Sequence, residues 1–364
     1  MKSPNNNLLT SNKTSNKTSN NSKQSSPVSN LSRISFRLTL AAALLGGLAV
    51  SGFSSSASAQ AQDVNQAIAA HPTWAQLPGE LIRPDCVHEI PKGAKVEFSK
   101  DGNLTGDVTL KGELIAHYNS CSEAGILTHQ SAVNTNSVAQ SAAKAEVKAD
   151  VTTGNGWVEN DHWIAPVTSS DNIDFLAGNF FVPSYPSVAN GQVLYLSNGI
   201  EAANYKWVLE ATLEYGYNGV FGGDFYSITT ILVGPSAAYY SSPDYVYPGD
   251  SLSGYTKLYA ESGSKKYFDV QIVDNSSGAY SGSSYWVSGQ HWTLAYAGIL
   301  QAYNLDSCAE FPANGREVFS DSVVYHGFPY YYQYSFPNWV GAGGGYGGPV
   351  CHFAVVAASG TLDF

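Results

Sequence analysis

Charge is scarce in this 364-residue chain: Asp, Glu, Lys and Arg make up only 13% of it, and acids outnumber bases 29 to 18. No basic stripe is present to follow a phosphate backbone, which argues against nucleic acid and anionic membrane as partners. Familiar catalytic signatures are missing as well. There is no G-x-S-x-G, no H-E-x-x-H and no phosphate loop, and the glycine-rich stretch Gly341–Gly348 lacks the lysine and helix start that phosphate binding needs. The eight histidines are scattered without ligand spacing. His162 beside Trp163, and His291 beside Trp292, read as structural hydrogen-bonders. Only four cysteines occur, none in a C-x-x-C pair, so no zinc site is expected. The apolar run Leu38–Val50 is too short to span a bilayer and is broken by Gly46 and Gly47.

That run has a different reading. A polar leader of Asn, Ser, Thr and Lys precedes Arg33 and Arg37, and small residues follow it to Ala57-Ser58-Ala59. A basic segment, an apolar segment and an A-x-A site make residues 1–59 a leader with a secretory signal peptide, cleaved near Ala59. The expected location is outside the cytoplasm, extracellular or periplasmic, with no membrane attachment after cleavage. The leader holds six of the 18 bases and no acid, so the remainder carries 12 bases against 29 acids, a formal charge of −17. Such a surface suits work in acid, where protonation relieves self-repulsion, and solubility at neutral pH explains it equally well. Cys86, Cys121, Cys308 and Cys351 all follow the signal, and an even count in an exported chain reads as two disulfides. Three connectivities are open. Local pairing, Cys86–Cys121 and Cys308–Cys351, is the expectation because each pair brackets a compact region.

Three regions follow the signal. Residues 60–130 form a small disulfide-containing module or prosegment, with a turn at Asp101-Gly102-Asn103 and two short strands about Lys111-Gly112. Residues 131–154 are mostly Ala, Ser, Val, Lys and Thr, the composition of a linker, with a helical stretch expected around Ala139–Val147. From Asn155 to the C-terminus, apolar or alternating runs such as Phe175–Val182, Gln192–Ser197, Trp207–Tyr215, Tyr267–Val273 and Trp292–Tyr303 are separated by Gly, Pro, Asn and Asp clusters. Residues 155–364 are therefore expected to be an all-β sandwich or barrel, and a monomer.

The run Trp207–Tyr215 carries the chemistry. Its period of two sets Trp207, Leu209, Ala211, Leu213 and Tyr215 on one face, with Glu210 and Glu214 on the other. An apolar back and an acidic front imply a sheet with one wet face. Glu210 and Glu214 would lie roughly 13 Å apart along a strand, too far to share a proton. Some ninety residues later, Gln301 is a lone amide in the apolar, aromatic run Ile299–Tyr303. A carboxylate that takes a proton from water and an amide that stabilises an oxyanion would make a hydrolytic pair. The bland alternative is that both glutamates are solvated surface charges.

Several pieces in order resemble the glutamic peptidase (eqolisin) family and a group of secreted bacterial and fungal proteins distantly similar to it: Asn155-Gly156-Trp157, Phe181-Val182-Pro183, Asn198-Gly199-Ile200-Glu201 and Pro248-Gly249-Asp250-Ser251-Leu252. Val208-Leu209-Glu210 stands where the family carries I-L-Q. The resemblance covers about 210 of 364 residues. It implies a two-sheet antiparallel, concanavalin-A-like (jelly-roll) sandwich with a long cleft. It also implies peptide hydrolysis in acid with a glutamate as base and acid and a glutamine on the oxyanion, without metal or organic cofactor. Here acid and amide trade places: Glu210 occupies the glutamine's position and Gln301 an acid's, with Glu214, Trp157, Glu201 and Tyr303 lining the cleft. A second alignment puts the family glutamate at Gly298, which leaves the domain without its acid. Two other classes compete. A carbohydrate- or cell-surface-binding module would stack sugars on Trp157, Trp163, Trp286, Trp292 or Trp339. A glycoside hydrolase would draw two nearby carboxylates from Glu201, Glu210, Glu214 and Asp224.

Overall fold

The computed structural model describes residues 64–99, 105–121, 125–128, 146–152, 155–165, 172–328, 332–334, 339–343, 350–356 and 360–363, which belong to one compact unit. The expected signal peptide, the turn at Asp101-Gly102-Asn103 and residues 139–145 lie outside them.

Alternation builds a two-sheet β-sandwich. The front sheet runs in the order Val340–Gly343, Gly156–Ile164, Trp292–Tyr303, Val193–Ala202, Val208–Tyr217, Gly222–Gly234, Ala237–Ser241 and Val87–Ile90. The back sheet runs Tyr332–Tyr334, Ser320–His326, Ile173–Phe181, Ser251–Ser262, Lys265–Asp274, Tyr280–Ser288, Lys95–Phe98, Gly106–Leu110 and Glu113–Tyr118. Leu196, Leu209, Leu213, Ile228 and Leu300 of the front sheet share one core with Leu252, Phe268, Val270 and Ile272 of the back sheet. Trp207, Ala211 and Tyr215 lie in that core too, so the apolar back of the Glu210 strand faces the other sheet.

Most pairings are antiparallel, but the N-terminal region joins each sheet in parallel. Val87–Ile90 runs alongside Ala237–Ser241, and Lys95–Phe98 alongside Tyr280–Ser288. The hairpin about Lys111-Gly112 then extends the back sheet's edge. Earlier residues lie elsewhere: 64–70 are helical, and Ala75–Leu77, Glu80–Ile82 and Ile126–Leu127 form a small separate sheet.

One segment differs from expectation. Glu146–Thr152, read as the end of a linker and overlapping the expected helix, is a strand paired with Val350–Val356. Val147, Ala149 and Val151 alternate there with charged or hydroxyl residues, and that period of two outweighs the alanine content.

Both disulfides join near neighbours in sequence, Cys86 to Cys121 and Cys308 to Cys351, with Cα separations of 5.9 and 5.7 Å. The second closes a separation of 43 residues. Replacing Cys308 and Cys351 by serine should lower unfolding free energy by about 4 kcal/mol, read as a lower urea midpoint. Among the described residues, no helix is long and apolar enough to cross a membrane.

Candidate active site

The period of two leaves Glu210, Thr212 and Glu214 on the outer face of the front sheet. The strand Val193–Ala202 lies between the Glu210 strand and the Gln301 strand, pairing Gly199 with Glu210 and Tyr195 with Gln301. Gly199 makes the space. A Cβ there would stand 2.8 Å from Cγ of Glu210, so any larger residue would displace the acid. The carboxylate therefore lies across its neighbour strand, where Nε2 of Gln301 donates to its two oxygens at 3.2 and 3.4 Å. Ser197 Oγ donates to Oε2 at 2.8 Å, and the Thr212 hydroxyl lies at 3.5 Å. Oε1 of Gln301 accepts the backbone N–H of Gly79 at 2.7 Å, which fixes the end of the amide that faces the acid.

The face is not wet. Glu210 is 1% exposed, and Glu214, Thr212 and Gln301 are fully buried, so the reading of solvated surface charges fails. The cover is the N-terminal segment. Leu81, with Ala67, Ile68, Trp74 and Ile126, packs on Val193, Tyr195 and Tyr303. Ala75, Leu77 and Ile82 pack on Phe221, Ile231, Val233 and Tyr240. Between these clusters the strands Ala75–Leu77 and Glu80–Ile82 turn at Pro78-Gly79, where proline presets φ and Gly79 takes the positive φ of +74° that the second central position of such a turn needs.

The hairpin is held through its main chain. Tyr195 donates to the Gln76 carbonyl at 2.5 Å, Tyr303 donates to the Leu77 carbonyl at 2.7 Å, and Gly79 N–H meets Gln301. Thr128 completes the Tyr303 hydroxyl at 2.6 Å. Side-chain bonds between Gln76 and Asn304 add a further fastening.

The remaining expected residues divide into neighbours and spectators. Glu201 lies two residues beyond Gly199 on its strand, and its Oε2 accepts the Tyr296 hydroxyl at 2.5 Å. Trp157 meets that Tyr296 ring edge-on at 4.9 Å. Glu214 has no hydrogen bond to either carboxyl oxygen among the described residues, and burial raises its pKa well above the usual value. Glu80, on the hairpin, is in the same condition. Asp224 is exposed. Gly298 faces the other way: a Cβ there would meet the Phe319 ring at 2.3 Å, within the core between the sheets. An acid at that position would point away from Glu210.

The tryptophans form no common platform, since Trp157, Trp163 and Trp292 are buried and Trp286 stands on the back sheet. His162 is buried beside Asn160, 2.9 Å away, and burial lowers its pKa to about 4. Ser197, Thr212, Tyr195 and Gly79 were not singled out from the sequence. Ser197 and Tyr195 share a face of the Gln192–Ser197 run, the only signal that could have found them. Among the described residues, no group of three or more His, Cys, Asp or Glu is arranged to hold a metal ion.

In structure the chain is similar to Scytalido-glutamic peptidase with a peptide-based transition-state analogue, at 15% identity and a TM-score of 0.34, over 46% of this chain and 80% of that one. It is similar to SCP-B, a member of the eqolisin family of peptidases in complex with the tripeptide Ala-Ile-His, at 16% identity and a TM-score of 0.31, over 46% and 79%. It is also similar to the enzymatically active domain of bacteriophage CBA120 tailspike protein 2, at 13% identity and a TM-score of 0.27, over 50% and 28%. No family model matches the sequence, and no curated protein matches it.

Proposed function

We propose that this chain is a secreted, acid-active endopeptidase in which Glu210 and Gln301 activate water, held latent by its own N-terminal hairpin. The observation that carries the proposal is the polypeptide already lying on the pair. Tyr195, Tyr303 and Gln301 hold Gln76, Leu77 and Gly79 through backbone atoms alone, the way a cleft holds an extended peptide of any sequence. Secretion rests on the signal-like N-terminus and on two disulfides, which persist in oxidising compartments.

With the hairpin withdrawn, a substrate strand takes its place and a water enters beside Glu210. Glu210 removes a proton from that water as its oxygen attacks the scissile carbonyl carbon. The Gln301 amide, released from its contact with Glu210, donates to the developing oxyanion. Glu210 then gives the proton to the departing nitrogen as the C–N bond breaks. Tyr195 and Tyr303 hold flanking carbonyls of the substrate, while Glu214, Glu201 and Trp157 shape the cleft around it.

The part that must leave is short. From Val87 onward the N-terminal region supplies edge strands to the sandwich, whereas residues up to Ile82 only cover it. Pro84 and Asp85 are exposed between the two. A chain with a specific protease site in place of Arg83-Pro84-Asp85 tests the reading. The intact protein should leave casein untouched at about pH 4, and the cut protein, freed of residues 64–82, should digest it. A cut, folded and hairpin-free protein without proteolysis sinks the proposal.

A further inference from the structure

The back sheet, the other sheet from that of Glu210, has a side-chain cluster of its own. Near the turn at 262–264 its outer face holds a cavity of about 590 Å³ lined by Lys95, Glu97, Lys265, Trp286 and that turn's Ser262, Gly263 and Ser264. The strands place these groups. Trp286 pairs with Tyr267 on one side and Glu97 on the other, and Lys265 closes the turn opposite Ser262. The Trp286 and Tyr267 rings lie 5.0 Å apart. Lys95 Nζ stands 5.1 Å from the Trp286 ring centre and 5.9 Å from that of Tyr267. Glu97 receives Lys265 at 2.7 Å and Lys95 at 3.3 Å.

Stability explains this arrangement poorly. Ion pairs to a carboxylate as exposed as Glu97 contribute little, and a partly buried indole on an outward sheet face leaves apolar area in water. As a binding site it is coherent. Two ammonium groups share one carboxylate and leave an excess positive charge, in a chain whose formal charge is −11. Beside them stand an apolar plate, two serine hydroxyls and an acceptor carboxylate.

The strands beneath the cavity are paired on both sides, so no free main-chain edge invites an extended peptide. The fit is to a pyranose ring that carries an acid. Its C–H face lies on the indole, its hydroxyls donate to Glu97, and its carboxylate accepts from Lys95 or Lys265.

We propose that this cavity binds a uronic-acid-bearing saccharide and so attaches the protein to acidic polysaccharide. The site lies on the opposite sheet from the Glu210–Gln301 pair, and it stands or falls independently of the peptidase reading.

Titration of the full chain with oligogalacturonate and with a neutral oligosaccharide of equal length, followed by tryptophan fluorescence and calorimetry, tests it. The acidic ligand should bind at least about tenfold more tightly than the neutral one. Its affinity should fall several-fold as salt rises. Trp286→Ala should weaken binding by about tenfold or more, and Lys265→Gln should erase the preference for the acidic ligand. Thermal melts establish that each variant is folded, and if Trp286→Ala is not, Lys265→Gln carries the test. No binding of oligogalacturonate at millimolar concentration, equal binding of the neutral sugar, or affinities unchanged in the folded variants would each overturn the proposal.

Discussion

Glu210→Gln should lower casein hydrolysis by the hairpin-free protein about 10³-fold or more, the loss expected when a general acid–base is removed. The substitution keeps the side chain's volume and lets its oxygen accept from Ser197, so the melting temperature should barely move. Gln301→Glu makes the opposite error, setting two carboxyl groups where acid and amide now meet at 3.2 Å and removing the oxyanion donor. A loss of about 10²–10³-fold is expected there. The double exchange Glu210→Gln with Gln301→Glu is the decisive variant. It restores one acid facing one amide, in the arrangement the eqolisin resemblance implies, and should be more active than either single variant. A double variant no better than its parents would mean that the pair does not act as a unit.

The buried carboxyl groups should make stability fall as the solution is taken from acid to neutral. His162 and His88, whose pKa values burial lowers to about 4, pull the other way below about pH 6. Four buried carboxyl groups have raised pKa values because burial disfavours their charged form: Glu80 and Glu214 well above the usual value, Glu317 to about 7 and Asp161 to about 8. In the folded chain they keep their protons, whereas in the unfolded chain they release them at ordinary pH. The contribution of Glu317 and Asp161 is therefore complete below about pH 4 and disappears as pH rises through 7 and 8, and Glu80 and Glu214 act in the same direction. Each tenfold change in a proton-binding constant is worth about 1.4 kcal/mol, so Glu317 alone accounts for roughly 3 kcal/mol lost above pH 7. Urea midpoints measured from pH 4 to 8.5 should fall, and Glu317→Gln with Asp161→Asn should flatten the slope. A profile that rises with pH contradicts the assignment. Glu80 adds a consequence for latency. Because it rides on the hairpin and is buried uncharged, acid would tighten the cover, so on the proposed reading the site would open by a cut in the chain.

The sandwich itself was legible. Trp292–Tyr303 is one observed strand end to end, because a mostly apolar and aromatic run is buried on both faces. The alternation of Trp207–Tyr215 correctly assigns its apolar face to the core. What hid the covered site is that its cover meets Tyr195, Tyr303 and Gln301 through carbonyl and N–H groups every residue possesses. Nothing in the side chains of Gln76 or Gly79 announces a contact with Tyr195 or Gln301. Glu210 was therefore expected in water, although the sheet in front of it is sealed. Similarly, Val147, Ala149 and Val151 alternate within an alanine-rich stretch whose composition masked the strand. The parallel joins of Val87–Ile90 and Lys95–Phe98 depend on partners about 150 and 190 residues away, beyond the reach of local pattern.

The Cys86–Cys121 bond has a geometric consequence for turning the site on. A cut between those cysteines leaves the hairpin joined to the sandwich through sulfur, at an effective concentration of the order of millimolar. Tethered in that way, it returns to the cleft faster than any dilute substrate arrives. On the proposed reading, only a cut in the few residues between Ile82 and Cys86 would turn the covering hairpin into a separate molecule that dilution can remove. In that reading, where the chain is broken, not how often, would set the switch.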